Sequence, residues 1–195
     1  MNVVEEIRKA AYQIDPIYTQ RWSPRSFQDK EIPDDVLRSL FEAARWAPSA
    51  ANVQPWRFVF ARTAEDRERF HAFIDESNVV WCQKAPVLVA VISKTDEERF
   101  NGANPTHAFD TGAAWGYLAL EATRKGLIAH GMGGFDRQKA KEVLGIPENY
   151  FVNVIVAIGY QGEIELLDEA YRDREKPSDR KPQESFVFEG LFDEE

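Results

Sequence analysis

Two stretches of this chain are too apolar to lie at the edge of a sheet. Residues 87–92 form a continuous β-branched-rich run directly behind Pro86, and residues 151–160 are nearly as unbroken. A strand with one face in water alternates polar and apolar side chains, whereas a strand without alternation is covered on both faces. The chain is therefore expected to build a sheet with these two strands inside it. Neither run approaches the roughly 20 apolar residues that a membrane-spanning helix needs, which argues against a bilayer protein.

The segments between these runs change period from 2 to 3.6. Val3, Val4, Ile7, Ala10 and Ala11 predict a helix over residues 2–12. Pro33-Asp34-Asp35 opens a second helix that buries Val36, Leu37, Leu40, Phe41 and Ala44 and stops before Pro48. Residues 57–61 read as a strand, and residues 64–76 as an exposed helix with Phe70, Phe73 and Ile74 facing inward. Residues 95–108 are polar and are expected to form a loop or lid. Asp110 or Thr111 is expected to cap a long helix over 112–125 that Gly126 ends. A short strand follows over 127–130. Asp136 then caps a helix terminated by Gly145 and Pro147. Beyond Gly162 the chain becomes charged and proline-containing. Residues 163–185 read as an extended arm, with Phe186-Val187-Phe188 adding a strand to this chain or to a partner. The alternation of elements predicts one mixed α/β or α+β domain over 1–195, with 163–195 as its C-terminal arm.

Composition narrows the function classes. A net charge of −9 argues against a nucleic-acid or anionic-lipid surface, which would need a basic face. The single cysteine, Cys82, excludes an intrachain disulfide. With an N-terminus that turns acidic at once, this leads to the expectation of a cytoplasmic protein. Cys82 follows Trp81 in an apolar setting and reads as an inert buried thiol. His71, His107 and His130 show no metal-ligand spacing, and His71 is expected to be exposed. No G-x-S-x-G occurs to support a hydrolase.

Two short motifs carry the chemistry. In Arg21-Trp22-Ser23-Pro24-Arg25-Ser26-Phe27, two guanidinium groups flank a hydroxyl, a pattern that fits a phosphate clamp or a solvated turn. In Pro48-Ser49-Ala50-Ala51-Asn52-Val53-Gln54-Pro55-Trp56, prolines stiffen a segment carrying two amides. Asn52 and Gln54 can face a ligand edge of alternating donors and acceptors, or bond their own loop. A phosphorylated planar ligand such as flavin mononucleotide satisfies both motifs. Gly131, Gly133 and Gly134 do not have the spacing of a dinucleotide loop. They fit close backbone approach to a planar ligand, or a plain turn at positive φ. Arg180 and Lys181 are the paired cations of the acidic C-terminal segment, free to complete an anion site or to stand in solvent.

Taken in order, these features resemble the FMN-dependent nitroreductase family. The two motifs match its R-x-S-x-R-x-F and P-S-x-x-N-x-Q-P-W signatures. Ala85-Pro86, Asp110-Thr111-Gly112, Gly133-Gly134-Phe135-Asp136, Ile158-Gly159-Tyr160 and Arg180-Lys181-Pro182 follow in family order. The resemblance implies an α+β fold with a mostly antiparallel sheet flanked by helices, in an intertwined homodimer with FMN at each subunit interface. It implies that Arg21, Trp22, Ser23 and Arg25 hold the phosphate and ribityl end, with Arg180 and Lys181 closing on the phosphate. Pro48, Ser49, Ala50, Asn52 and Gln54 would reach the flavin from the other subunit. Asn78 would lie near the pyrimidine, and Gly133 and Gly134 would present N–H groups near N5. No side chain is implied as acid or base, because the chemistry is the flavin's. The implied activity is reduction of nitroaromatics, quinones or another small electron-poor acceptor by NADH or NADPH. Flavin storage, a dimeric interaction protein, or specialised reactions such as dehalogenation are the alternatives. Residues 95–108 and Trp81 are expected to cover the flavin face.

Overall fold

The structure, a computed structural model, describes residues 3–192. In chain order its strands are β1 (Trp56–Ala61), β2 (Val87–Lys94), the two-residue β3 (Asp96–Glu97) and β4 (Gly102–Ala103), β5 (Leu127–Met132) and β6 (Tyr150–Tyr160). Its helices are α1 (Val3–Ile7), α2 (Ile17–Gln20), α3 (Asp34–Arg45), α4 (Ala64–His71), α5 (Glu76–Cys82), α6 (His107–Arg124), α7 (Arg137–Leu144) and α8 (Glu169–Arg172). The main sheet has the order β1-β2-β6-β5, with every neighbouring pair antiparallel. The two apolar runs are the two central strands, as their lack of alternation requires.

Those strands divide their side chains between two cores. Val87, Val89 and Val91 enter one with Leu37 and Leu40 of α3 and Leu118 and Ala122 of α6. Leu88, Ala90 and Ile92 enter the other with Phe70, Phe73, Trp81 and Ala140 from the α4, α5 and α7 side. Successive residues point to opposite faces of a strand, so both halves of an unbroken apolar run find a core. The result is the expected α+β fold, an antiparallel sheet with helices on both faces.

Several boundaries differ from the sequence reading, each for a tertiary reason. The first helix ends at Ile7, not at residue 12. Residues 9–16 are exposed and have no apolar face to bury, and so short a helix is marginal without one. The helix expected over 64–76 breaks at His71, and α5 follows as a separate helix. The break lets Ile74 bridge to Phe135 while Phe70, Phe73 and Ile74 stay buried as expected. Helix α6 starts at His107, so Asp110 and Thr111 lie buried inside it and do not cap it. Residues 95–108 contain the β3–β4 hairpin. Residues 186–188 form no strand in this chain. His71 is only partly exposed, and its Nε2 is buried without a partner. Asp136 caps α7 by accepting from the Lys139 N–H at 2.9 Å, and Gly145 ends that helix at φ 64°, both as the sequence predicts.

Candidate functional site

The first motif is held to the sheet end by backbone bonds. Gln28 N–H donates to the Tyr160 carbonyl at 2.9 Å, and Gly162 N–H to the Ser26 carbonyl at 3.0 Å. Arg21 Nη1 stands 3.5 Å from Ser23 Oγ. Arg8, just beyond α1, donates to the carbonyls of Thr19 (3.1 Å), Ser178 (2.8 Å) and Arg21. One guanidinium thereby joins the N-terminal segment, the motif and the C-terminal arm, and it brings Arg8, Arg21 and Arg180 into one cationic cluster. Partial burial holds Arg8 and Arg21 below the usual arginine range. Repulsion from Arg180 adds to this at both residues, and Asp179 offsets part of it at Arg8. Like charges gathered in partial burial favour binding of an anion between them.

Arg25 takes a different course. Its Nη1 is 3.4 Å from the Arg174 carbonyl, and its guanidinium lies 5.9 Å from the Trp81 ring centre. The Glu175 carboxylate accepts from the N–H groups of both Arg25 and Ser26 at 2.9 Å. Arg21 thus stands with Arg8 and Arg180, the backbone at Arg25 helps to fasten the arm, and both guanidinium groups lie near enough to His130 to act on its imidazole. Trp22 is half-buried and lines a groove with Gln20 and Gly162. Lys181 stands next to Arg180 in a groove bounded by Arg8, Tyr12 and Phe186.

Beneath the motif, His130 of β5 approaches the Pro24 carbonyl, with 2.9 Å from Nδ1 to oxygen. Its ring packs 4.5 Å from that of Trp81, which in turn stacks on Phe27 at 6.3 Å. Burial pushes the His130 imidazole down to about 4, and Arg25 and Arg21 add to the effect against the pull of the Pro24 carbonyl. The folded chain therefore holds fewer protons than the unfolded one between about pH 4 and 6.5. Stability contributed by the neutral ring is complete above that window and falls as pH drops through it, by about 3 kcal/mol in all. Urea midpoints measured between pH 4.5 and 7 in phosphate-free buffer should show a shallower decline in His130→Gln than in the parent. Equal declines would exclude this role. Trp81 itself is 2% exposed and belongs to the core, so it does not cover a ligand face. Cys82 is buried, and burial raises its thiol to about 12, in keeping with an inert residue.

The second motif is a strained loop. Ala51, Asn52 and Gln54 have φ of 49°, 57° and 52°, the left-handed region that non-glycine residues rarely occupy. Each such residue costs on the order of 1 kcal/mol, so the surroundings must impose the shape. Four side chains do so. Ser49 Oγ accepts from Gln54 N–H at 3.0 Å. Asp110, 3% exposed, accepts from Ala50 N–H at 3.2 Å. Arg99 Nη1 donates to the Ala51 carbonyl at 2.9 Å, and Arg57 Nη1 to the Gln54 and Trp56 carbonyls at 3.1 and 2.7 Å. Gln54 Nε2 turns inward onto Asn52, at 3.2 Å from its carbonyl and 3.1 Å from Oδ1. Pro48 and Asn52 are exposed.

Gly133 and Gly134 are not at positive φ, so they are not the plain turn that was the alternative reading. At Gly134 the requirement is space. A Cβ there would lie 2.6 Å from Asp75 Oδ2 and 2.7 Å from Asn78 Nδ2. Asn78 Nδ2 donates to the Gly134 carbonyl at 3.2 Å, which brings these two sequence-predicted residues together. A Cβ at Gly133 would meet nothing within 4 Å, so that side of the backbone is open to an incoming group.

These two motifs, on a four-stranded antiparallel sheet, match a known pattern. The nitroreductase family profile covers residues 18–80 and 74–160. The chain belongs to the nitroreductase family. A Streptomyces coelicolor protein named as an NADH dehydrogenase/NAD(P)H nitroreductase is 29% identical over 74% of this chain and 81% of its own length. An Archaeoglobus fulgidus protein of the same name is 30% identical over 74% of this chain and 82% of its own. A crystal structure described as an oxidoreductase containing FMN superposes with a TM-score of 0.92 at 41% identity, covering 96% of this chain and 97% of that one. The fold also extends to iodotyrosine deiodinase bound to FMN and 3-iodo-L-tyrosine, at TM-score 0.67, 21% identity, and coverage of 90% and 98%.

Sequence reasoning did not find Arg8, Glu175, Arg57, Arg99 or the floor made by His130. Arg8 and Glu175 act on residues 13 and 150 positions away, and no local pattern marks such contacts.

Proposed function

We propose that this nitroreductase-family chain is an FMN-dependent oxidoreductase that uses NADH or NADPH to reduce a nitroaromatic, a quinone or a similarly electron-poor acceptor. The observation that carries this is the gathering of Arg8, Arg21 and Arg180 with Ser23 in a chain of net charge −9. A phosphate monoester fits that donor set, since guanidinium forks and a hydroxyl match its oxygens. Arg180 and Lys181 close the site from the arm, and Arg25 holds the arm in place. Bound FMN supplies reversible hydride acceptance at its N5. The chain's own task is to orient and to stabilise charge. Gly133 and Gly134 present backbone N–H groups, the strained loop over 48–56 aims Ser49, Asn52 and Gln54, and Asn78 fixes the Gly134 peptide.

The separation of the two motifs supports a site shared between subunits. His130, which floors the first motif, pairs with Ala157 of β6, whereas Lys94 binds Pro55 of the second motif and pairs with Tyr150. Seven residues of strand put these points about 23 Å apart along the sheet, and three strand spacings add about 14 Å across it. That is further than one flavin mononucleotide reaches. Surfaces for a second copy are present. Helix α6 leaves Phe109 81% exposed, α3 leaves Trp46 69% exposed, and a groove of about 910 Å³ runs beside Trp46 and Tyr117. Phe186, Val187, Leu191 and Phe192 are exposed as well. Exposed apolar side chains of this size are available to a subunit interface.

The test is direct. Protein purified with FMN should elute yellow at the mass of a dimer, and anaerobic NADH or NADPH should bleach it, with an electron-poor acceptor restoring the colour. Protein that takes up no flavin overturns the proposal, and flavin that stays oxidised under both donors reassigns the chain to storage.

A further inference from the structure

We propose that Arg57 and Arg99 form an anion subsite beside the strained loop, so that one of the two substrates of this enzyme carries a carboxylate or phosphate. This rests on the reading of the 48–56 loop as part of the flavin site. Arg57 leaves the loop at the start of β1, and Arg99 reaches it from the turn between β3 and β4. Both side chains are exposed, and both bond loop carbonyls through Nη1. Among the described residues neither makes an ion pair, although acids outnumber bases 33 to 24 in the chain and Arg38, Arg45, Arg62 and Arg69 are all paired with carboxylates.

The acids around Arg99 leave its guanidinium unpaired: the adjacent Glu98 is exposed and makes no ion pair with it, and three others are engaged elsewhere. Glu97 Oε1 accepts from the Arg99 backbone N–H at 3.4 Å, Asp96 accepts from Asn149 at 3.2 Å and pairs with Lys94 at 3.4 Å, and Asp110 holds the Ala50 N–H. Each guanidinium uses one nitrogen on the loop, which leaves Nε and Nη2 free to form a fork with an oxyanion. The carbonyl contacts fix where the two forks stand, so little order is lost when an anion arrives. Arg99 also ties the hairpin to the loop through Ala51, so an anion bound there holds the hairpin down on the site.

The anion can belong to the electron donor, as the 2′-phosphate of NADPH, or to the acceptor, as a carboxylate. Two pairs of ligands separate these sources on the flavin-loaded dimer: NADPH against NADH, and 4-nitrobenzoate against 4-nitrobenzyl alcohol. KM is measured by turnover, and Kd is measured by calorimetry with NADP+ against NAD+ and with the two nitro compounds. In one pair the KM and Kd of the ligand bearing the additional anionic group, relative to those of its partner, should rise about tenfold in Arg99→Ala and in Arg57→Ala, the loss of one charge-assisted hydrogen bond. Arg99→Lys should recover most of it. Ratios that stay fixed in both pairs overturn the subsite, as does an equal loss for charged and neutral ligands, which would reduce both arginines to loop supports. Wild-type protein that retains no flavin would instead overturn the function on which the subsite rests.

Discussion

Arg21→Glu should purify colourless and bind FMN at least a hundredfold more weakly than the parent. The substitution removes one fork from the Arg8, Arg21 and Arg180 cluster and sets a carboxylate where the phosphate would lie. Charge-assisted bonds contribute roughly 1.5–3 kcal/mol each, and about 3 kcal/mol corresponds to more than a hundredfold in Kd. The loss should be specific to the phosphate ester. Riboflavin, which lacks it, should bind parent and variant with similar affinity, and the FMN affinity of the parent should fall with rising salt. Arg21→Lys keeps the charge and loses the fork, so it should fall between the two. Arg25→Glu should also release FMN, by a different route. Its new carboxylate would face Glu175, which fastens the arm to the Arg25 and Ser26 N–H groups, so Arg180 would leave the site with the arm. Limited proteolysis of the arm separates the two routes, since only the Arg25 variant should become more sensitive. A yellow Arg21→Glu protein with unchanged affinity would remove the cluster from the phosphate site.

The parts of this fold that were legible in the sequence are those fixed by their neighbours along the chain. An unbroken apolar strand such as β2 reports its own environment, because each of its two faces needs a core. The Asp136 cap and the Gly145 stop are local hydrogen-bond chemistry, and both stand where the sequence put them. Partners far along the chain were not legible. Asp110 has the residue type and position of a helix cap, yet it lies inside α6, where its carboxylate accepts from Thr106 Oγ1 and from the Ala50 N–H sixty residues earlier. The break between α4 and α5 is set by the bridge of Ile74 to Phe135, which no helical period shows.

The site follows the same division. Its two motifs were visible because their residue types are unusual at short spacing. The conformation of the second motif was not visible, since positive φ at Ala51, Asn52 and Gln54 leaves no glycine as a trace. The loop is held by Ser49, Asp110, Arg57 and Arg99, and three of these lie outside the motif. A signature therefore marks where strain is kept, while the residues that impose it are scattered and have to be found in three dimensions.

The largest loss of stability should come from Trp81→Ala, at about 3–5 kcal/mol, the usual range for removing a large buried ring. Trp81 is 2% exposed, stacks on Phe27 with only 10° between ring planes, packs against His130, and lies under the Arg25 guanidinium. Its removal opens a cavity where the first motif meets the sheet. Phe27 carries the bridge to Gln161, and His130 carries the Pro24 carbonyl, so two of the motif's fixed points lose their backing at once. Domains commonly have about 5–15 kcal/mol in total, so the variant should remain folded at low temperature with a much lower urea midpoint. Flavin affinity should fall with it, although position 81 need not touch the flavin. Trp81→Phe keeps a ring in the stack and should recover most of both properties, at a cost of about 1–2 kcal/mol for the smaller volume. The decisive comparison is between the two readouts. If the midpoint falls while FMN affinity holds, Trp81 is core alone. If the two fall together and Trp81→Phe restores them together, the stack beneath the first motif is what keeps the arginine cluster in position.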